Sequence, residues 1–154
     1  MKKGIIIAVI VALVIGGFIY FVAGVSSTSA PIKRYEYSGS INQFVTAIKN
    51  YASTNPNVSV KITDTVGDRK ADYGIYISID MKINKDSISY NLECEKKDGA
   101  TNKTTIQLVE AYNKTRITGG YIKDAKGVKP LVDDFESDFL TPLKNKQNIN
   151  VIPL

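Results

Sequence analysis

The stretch Ile75-Tyr76-Ile77-Ser78-Ile79-Asp80-Met81-Lys82-Ile83-Asn84-Lys85-Asp86-Ser87-Ile88-Ser89-Tyr90-Asn91-Leu92-Glu93-Cys94-Glu95 decides the fold. Ile75, Ile77, Ile79, Met81 and Ile83 alternate with polar neighbours, and so do Ile88, Tyr90, Leu92 and Cys94. A period of two with one apolar parity is the mark of a strand that buries one face and wets the other. Asn84-Lys85-Asp86 between the two runs is turn chemistry, so the stretch predicts an antiparallel hairpin.

The same period extends in both directions. Val58, Val60 and Ile62 predict a strand before the hairpin, and Thr104 to Tyr112 predicts one after it, beyond a turn at Asp98-Gly99. A further strand over Thr115 to Lys123 is weakened by Gly119-Gly120. Outside this meander the period becomes helical. Ser40 and Gln43 form a capping box ahead of Ile41, Phe44, Val45, Ile48 and Tyr51, predicting a helix from Ser40 to about Thr54. Leu131, Val132, Phe135, Phe139, Leu140 and Leu143 predict a second, with Pro142 kinking or ending it. Tyr35 to Tyr37 reads as a short first strand, and Ile149 to Leu154 as a possible edge strand.

The fold class is therefore α+β: a two-layer domain with an antiparallel sheet of about five to six strands covered by two amphipathic helices. This order of elements is similar to that of helix-grip domains, in which a curved antiparallel sheet wraps a C-terminal helix. The resemblance implies an apolar cavity between sheet and helix and carries no motif.

The domain occupies residues 32–154 of the 154-residue chain. Ahead of it, Gly4 to Val25 is a run of 22 residues without a charge, 18 apolar and 4 glycine, long enough to cross a bilayer as a helix. Met1 to Lys3 places two lysines on the near side of that run, which predicts a cytoplasmic N-terminus and an extracytoplasmic domain. Residues 26–31, Ser-rich and ending in Pro31, read as a linker. The expected address is a single-pass membrane protein with a signal anchor. The alternative is secretion after cleavage of the segment, although its apolar region exceeds the usual 7 to 15 or so residues of a signal peptide.

The chain has no histidine and one cysteine, which excludes His-based triads, Cys-His pairs, His or Cys zinc sites and an internal disulfide. No cofactor or metal is expected. The acidic cluster Asp133, Asp134, Glu136 and Asp138 lacks the spacing of a calcium loop and reads as a solvated face. Cys94 lies on the apolar parity of its strand and reads as a core residue. The cations are interspersed with acids over strands and turns, which speaks against a nucleic-acid partner. Asn57, Asn102 and Asn113 each begin an N-x-S/T triplet, but the Lys-, Asn- and Ile-rich composition is of a bacterial kind, where these triplets are accidental.

Glu110 carries the sharpest anomaly. Strict alternation through Ile106, Leu108 and Glu110 turns its carboxylate toward the core, where it would serve as a ligand anchor; a bulge after Leu108 would turn Val109 and Ala111 inward and Glu110 out. Tyr73, Tyr76, Asp80 and Lys82 mark a candidate partner surface on the polar face of the central strand, Tyr being enriched at interfaces.

The expected function is a non-catalytic binding domain held at the membrane through residues 4–25, taking a protein partner. The alternatives are a carrier for a small apolar ligand with Glu110 as anchor, and, least favoured, an enzyme using carboxylates such as Asp80, Glu93 and Glu110.

Overall fold

A two-residue turn organises the sheet. Asn84 adopts the left-handed φ of 56°, as primed hairpin turns require at their first central residue. It joins β3 (Gly74–Ile83) to β4 (Asp86–Lys96), which pair antiparallel from Ile83↔Asp86 to Gly74↔Glu95. In this computed structural model, residues 30–67, 74–97 and 102–154 are described. The expected membrane segment 4–25, most of the expected linker 26–31, Tyr73 and the expected turn at Asp98-Gly99 lie outside the described residues. Among the described residues no helix is long and apolar enough to cross a membrane.

Around that hairpin, β2 (Val58–Val66) pairs with β3 and β5 (Thr104–Asn113) with β4. The first strand, β1 (Lys33–Tyr37), lies along the first half of β5, and β6 (Thr118–Gly120) along its second half. A last short strand, β7 (Val151–Pro153), pairs with β1. The architecture is α+β: one antiparallel sheet in the order β2-β3-β4-β5-β1-β7, with β6 beside β5, plus helices.

Helix α1 (Ile41–Ser53) begins as its capping box dictates. The Ser40 hydroxyl accepts from the Gln43 amide at 3.3 Å, and the Gln43 side chain accepts from the Ser40 amide at 2.9 Å. Its buried stripe of Ile41, Phe44, Ala47, Ile48 and Tyr51 joins the sheet's inner residues in one core.

The C-terminal rod runs through α2 (Val128–Asp134), a π-helical segment (Phe135–Leu140) and α3 (Thr141–Gln147). Pro142 does not end it, since helical residues run on to Gln147. In a regular α-helix its ring would press on the carbonyl four residues back. The wider turn just upstream absorbs that misfit: the Thr141 amide reaches back five residues to the Glu136 carbonyl, and its hydroxyl donates to the same oxygen at 2.9 Å. The π-segment also serves the core. Leu131, Phe135, Phe139 and Leu143 are spaced by four and all buried, whereas in an unbroken α-helix such a stripe drifts by about 40° at each step. The wider turns drift the opposite way and hold the stripe on one face.

Phe135 and Phe139 stack with ring centroids 5.3 Å apart. Phe135 also meets Tyr90 of β4 at 5.0 Å and Tyr35 of β1 at 6.1 Å, and Phe139 meets Tyr51 of α1 edge-on at 5.7 Å. Both buried tyrosines find acceptors on the rod: Tyr90 donates to the Leu131 carbonyl at 3.0 Å, and Tyr35 to Glu136 Oε1 at 3.0 Å.

The expected strand over Thr115 to Lys123 shrinks to Thr118–Gly120. Gly119 sits at φ 109° with Ala111's carbonyl oxygen 2.2 Å from where a Cβ would lie, so the two strands approach as only glycine permits. Gly120, at φ 140°, then ends the pairing, and residues 121–127 run on in turns.

Because Phe135 contacts both sheet and rod, Phe135→Ala should lower unfolding free energy by about 3–5 kcal/mol. Phe135→Leu should cost less, because only the ring contacts of about 0.5–1.5 kcal/mol each are lost. Urea unfolding of the detergent-solubilised chain measures both, and an alanine cost below about 1 kcal/mol would mean that this ring does not seat the helix.

Candidate functional site

On the outer face of the sheet, two strands each carry one residue too many. In β2 the pairing passes from Ile62↔Ile77 to Asp64↔Tyr76, leaving Thr63 unpaired. In β5 it passes from Leu108↔Leu92 to Glu110↔Asn91, leaving Val109 unpaired. These are β-bulges, and they stand on either side of β3 and β4. Between them lies a hollow of about 430 Å³ walled by Thr63, Asp64, Tyr76, Asn91, Val109 and Tyr121. Ile77 and Leu92, buried from the inner side, form its floor.

The second bulge decides the orientation of Glu110. Leu108 and Ala111 are both fully buried, and Glu110, between them in sequence, lies half-buried on the outer face. Strict alternation therefore fails, and the carboxylate does not face the core. It accepts from the Asn91 side-chain amide. Val109 does not turn inward as a bulge after Leu108 would have it. It lines the outer hollow with Tyr121, whose hydroxyl is raised above its ordinary range by burial and by the Glu110 charge beside it.

Of the residues marked as a partner surface, Tyr76 is in the hollow. Its hydroxyl donates to Glu93 Oε1 at 2.6 Å; that bond, with burial, pushes it up to about 12. Asp80 lies farther along the same face and pairs with Lys114 Nζ at 2.5 Å. Lys82 is exposed beyond it, near the hairpin turn. Tyr76, Asp80 and Lys82 thus share one face of β3, but only Tyr76 reaches the hollow. Thr63, Asp64 and Val109 were missed by reading the sequence, since a bulge leaves no mark in a run of alternating residues.

A second polar centre, also missed, lies on the outer face of β1. Glu36 is 6% exposed, and Lys97 and Lys103, at opposite ends of the β4–β5 connection, reach it at 2.5 and 2.6 Å. Their hydrogen bonds, Lys103 first and then Lys97, hold its carboxyl below the usual 4.5 despite burial. The arrangement ties that connection to β1.

The remaining candidates have structural roles. Glu136 is engaged by Tyr35 and by Lys33 Nζ at 2.5 Å. Asp134 is raised by burial and by the charges of Asp138 and Asp133. Among the described residues no group of three or more His, Cys, Asp or Glu side chains is placed to hold a metal ion. Asn113, which begins an N-x-S/T triplet, is buried and accepts from the amides of Thr115 and Arg116 at 3.0 and 2.8 Å. Cys94 is fully buried in the core, and desolvation, then the charges of Glu93 and Glu95, push its thiol well above the usual range.

Compared with known proteins, the chain matches no family model, and neither a curated protein nor a solved structure aligns with it significantly.

Two expectations follow from these charges and burials. Because the folded-state pKa of Glu36 is depressed, its contribution to stability is present above the unfolded carboxylate value and is lost as pH falls through the folded one. Glu36→Gln should therefore destabilise at pH 7, with the gap to the unmodified chain closing below pH 4.5 and narrowing in high salt; a gap independent of pH from 7 down to 3 would remove the two lysines as its cause. Cys94 should react with a soluble aromatic disulfide reagent only as fast as the domain unfolds, and complete labelling within minutes in native buffer would place the thiol at the surface.

Proposed function

We propose that this chain is a membrane-anchored, extracytoplasmic, non-catalytic binding domain that takes a protein partner on the outer face of its sheet. The observation that carries the proposal is the hollow between the two bulges. Bulges re-aim side chains and interrupt regular pairing, and here both open toward one concavity edged by two tyrosines and an aliphatic residue. Tyr76 and Tyr121 offer apolar rings with polar tips, the type of side chain that protein interfaces favour. The surrounding Asp64, Glu93 and Glu110 make the surface acidic, which favours a partner with basic residues at its point of entry.

The carrier reading draws little support by comparison. Ile77, Ile79, Leu92 and Phe135 are each at most 1% exposed and belong to one packed cluster, and Glu110 is on the opposite face of the sheet. The helix-grip order of elements describes architecture and by itself says nothing of a ligand.

The anchor supplies the mechanism. Residues 4–25 hold the domain at the bilayer, the lysines at positions 2 and 3 keep the N-terminus cytoplasmic, and tethering raises the effective concentration of the outer face for partners in the same membrane.

The orientation is tested by Ser38→Cys, an exposed position, which a membrane-impermeant maleimide should label in intact cells. Labelling only after lysis would reverse the topology. The surface is tested by a photo-crosslinking residue at Tyr76 or Tyr121 in the native host. Each should give the same discrete protein adduct, and a crosslinker at exposed Lys49 on α1 should not. Adducts no stronger than those from Lys49 would sink the partner surface.

A further inference from the structure

The end of the domain from which the anchor departs has its own chemistry, apart from the outer-face hollow. Ala30, Pro31, Lys33 and Arg34 line a groove of about 630 Å³ together with Lys123, Asp124, Lys129, Asp133 and Leu154. Four cations there face two side-chain carboxylates. Among the described residues Lys33 pairs with Glu136, and no ion pair is formed by Arg34, Lys123 or Lys129. Two large apolar side chains stand in water here: the groove's own Leu154 is 67% exposed, and Ile122, next to the groove's Lys123 in the turn closed by the Ala125 amide on the Ile122 carbonyl, is 64% exposed.

Cations around a few exposed aliphatic side chains are the composition that seats a protein surface among anionic headgroups, the charges meeting phosphates and the apolar groups entering the boundary below them. The covalent path brings the groove to such a surface. From Val25, the last residue of the uncharged run, to Ala30 is five Cα steps, at most about 18 Å fully extended. Fully extended, that is a little over two Debye lengths at physiological salt, where surface charge is largely screened, and a bend in the linker brings the groove within reach. The outer-face hollow, with its acidic surroundings, has the wrong sign for the same role.

We infer that the groove formed by Lys33, Arg34, Lys123 and Lys129, with Ile122 and Leu154 at its rim, docks the domain onto an anionic lipid surface, so that the domain lies against the membrane in one orientation instead of swinging on its linker. The inference rests on residues 4–25 being the anchor for its geometry, and on the groove's charge and apolar rim for its chemistry.

The test uses the full chain with an environment-sensitive fluorophore at Ile122→Cys, reconstituted into vesicles of phosphatidylcholine alone or with 30 mol% phosphatidylglycerol (roughly the anionic content of a charged leaflet). Cys94 is buried and leaves the introduced thiol as the reactive one. The expected result is quenching by headgroup nitroxides and protection from iodide in the anionic vesicles only. The effect should be abolished by 0.5 M salt or so, and the docked fraction should weaken about fivefold for each of Lys123→Gln and Lys129→Gln. A fluorophore at Ser38→Cys, the other end of β1 and roughly 17 Å away, should remain in water throughout. Equal iodide access at position 122 in both vesicle types would overturn the inference. Alkaline carbonate extraction reports separately on the anchor: a chain that is stripped from the vesicles, yet binds anionic ones from solution with the same lysine and salt dependence, would refute the anchor and leave the groove's lipid affinity standing.

Discussion

The contact of Phe135 with the sheet is the constraint on which the other layers depend. Its ring meets Tyr90 from the central hairpin, Tyr35 from the first strand and Phe139 from the next turn of its own rod, and through Phe139 it is connected to Tyr51 of α1. Side chains of β1, α1 and β4 converge on the two stacked rings of the rod. The π-segment follows from this convergence: residues spaced by four must all face the core while Pro142 lies within the rod, and the wider turn meets both demands at once. The buried hydroxyls of Tyr35 and Tyr90 add direction, since each is satisfied only if the rod lies at one height along the sheet.

What could be read in the sequence follows the range of the interactions. The hairpins among β2 to β5 and the capping box of α1 are written in adjacent residues, and they form as read. The pairing of β1 with β5, about 70 residues away, and with β7 at the other end of the chain has no local mark, because any strand of suitable parity would satisfy the pattern. That the helix continues through Pro142 was not legible for a related reason: proline's effect on an isolated helix is known, but the bulge that absorbs it depends on what the helix packs against. Glu110 was legible as a broken parity, and its two readings were legible too. Only the register of β5 against β4 separates them, and that register is a property of two strands.

The outer face shows how a sheet acquires a surface feature without departing from its core pattern. Each bulge inserts a residue on the solvent side, so the inner stripe of Ile75, Ile77, Leu92 and Ile106 stays intact while the outer side gains a concavity. Charge is used in two ways along β1 and its neighbours. Glu36 is neutralised by the lysines of the β4–β5 connection, which makes it structural, whereas among the described residues Arg34, Lys123 and Lys129 form no ion pair and keep their charge for whatever the domain meets.

The position of β1 has a mechanical meaning. This strand leads directly from the linker, and it lies inside the sheet, with β5 on one side and β7 on the other, while the Leu154 amide donates to the Arg34 carbonyl at 3.0 Å to close the seam. A pull on the tether along the strand therefore loads both ladders in shear, so that many hydrogen bonds must yield together. A terminal strand on the sheet's margin would peel away one bond at a time. β7 thus acts as a clasp over β1.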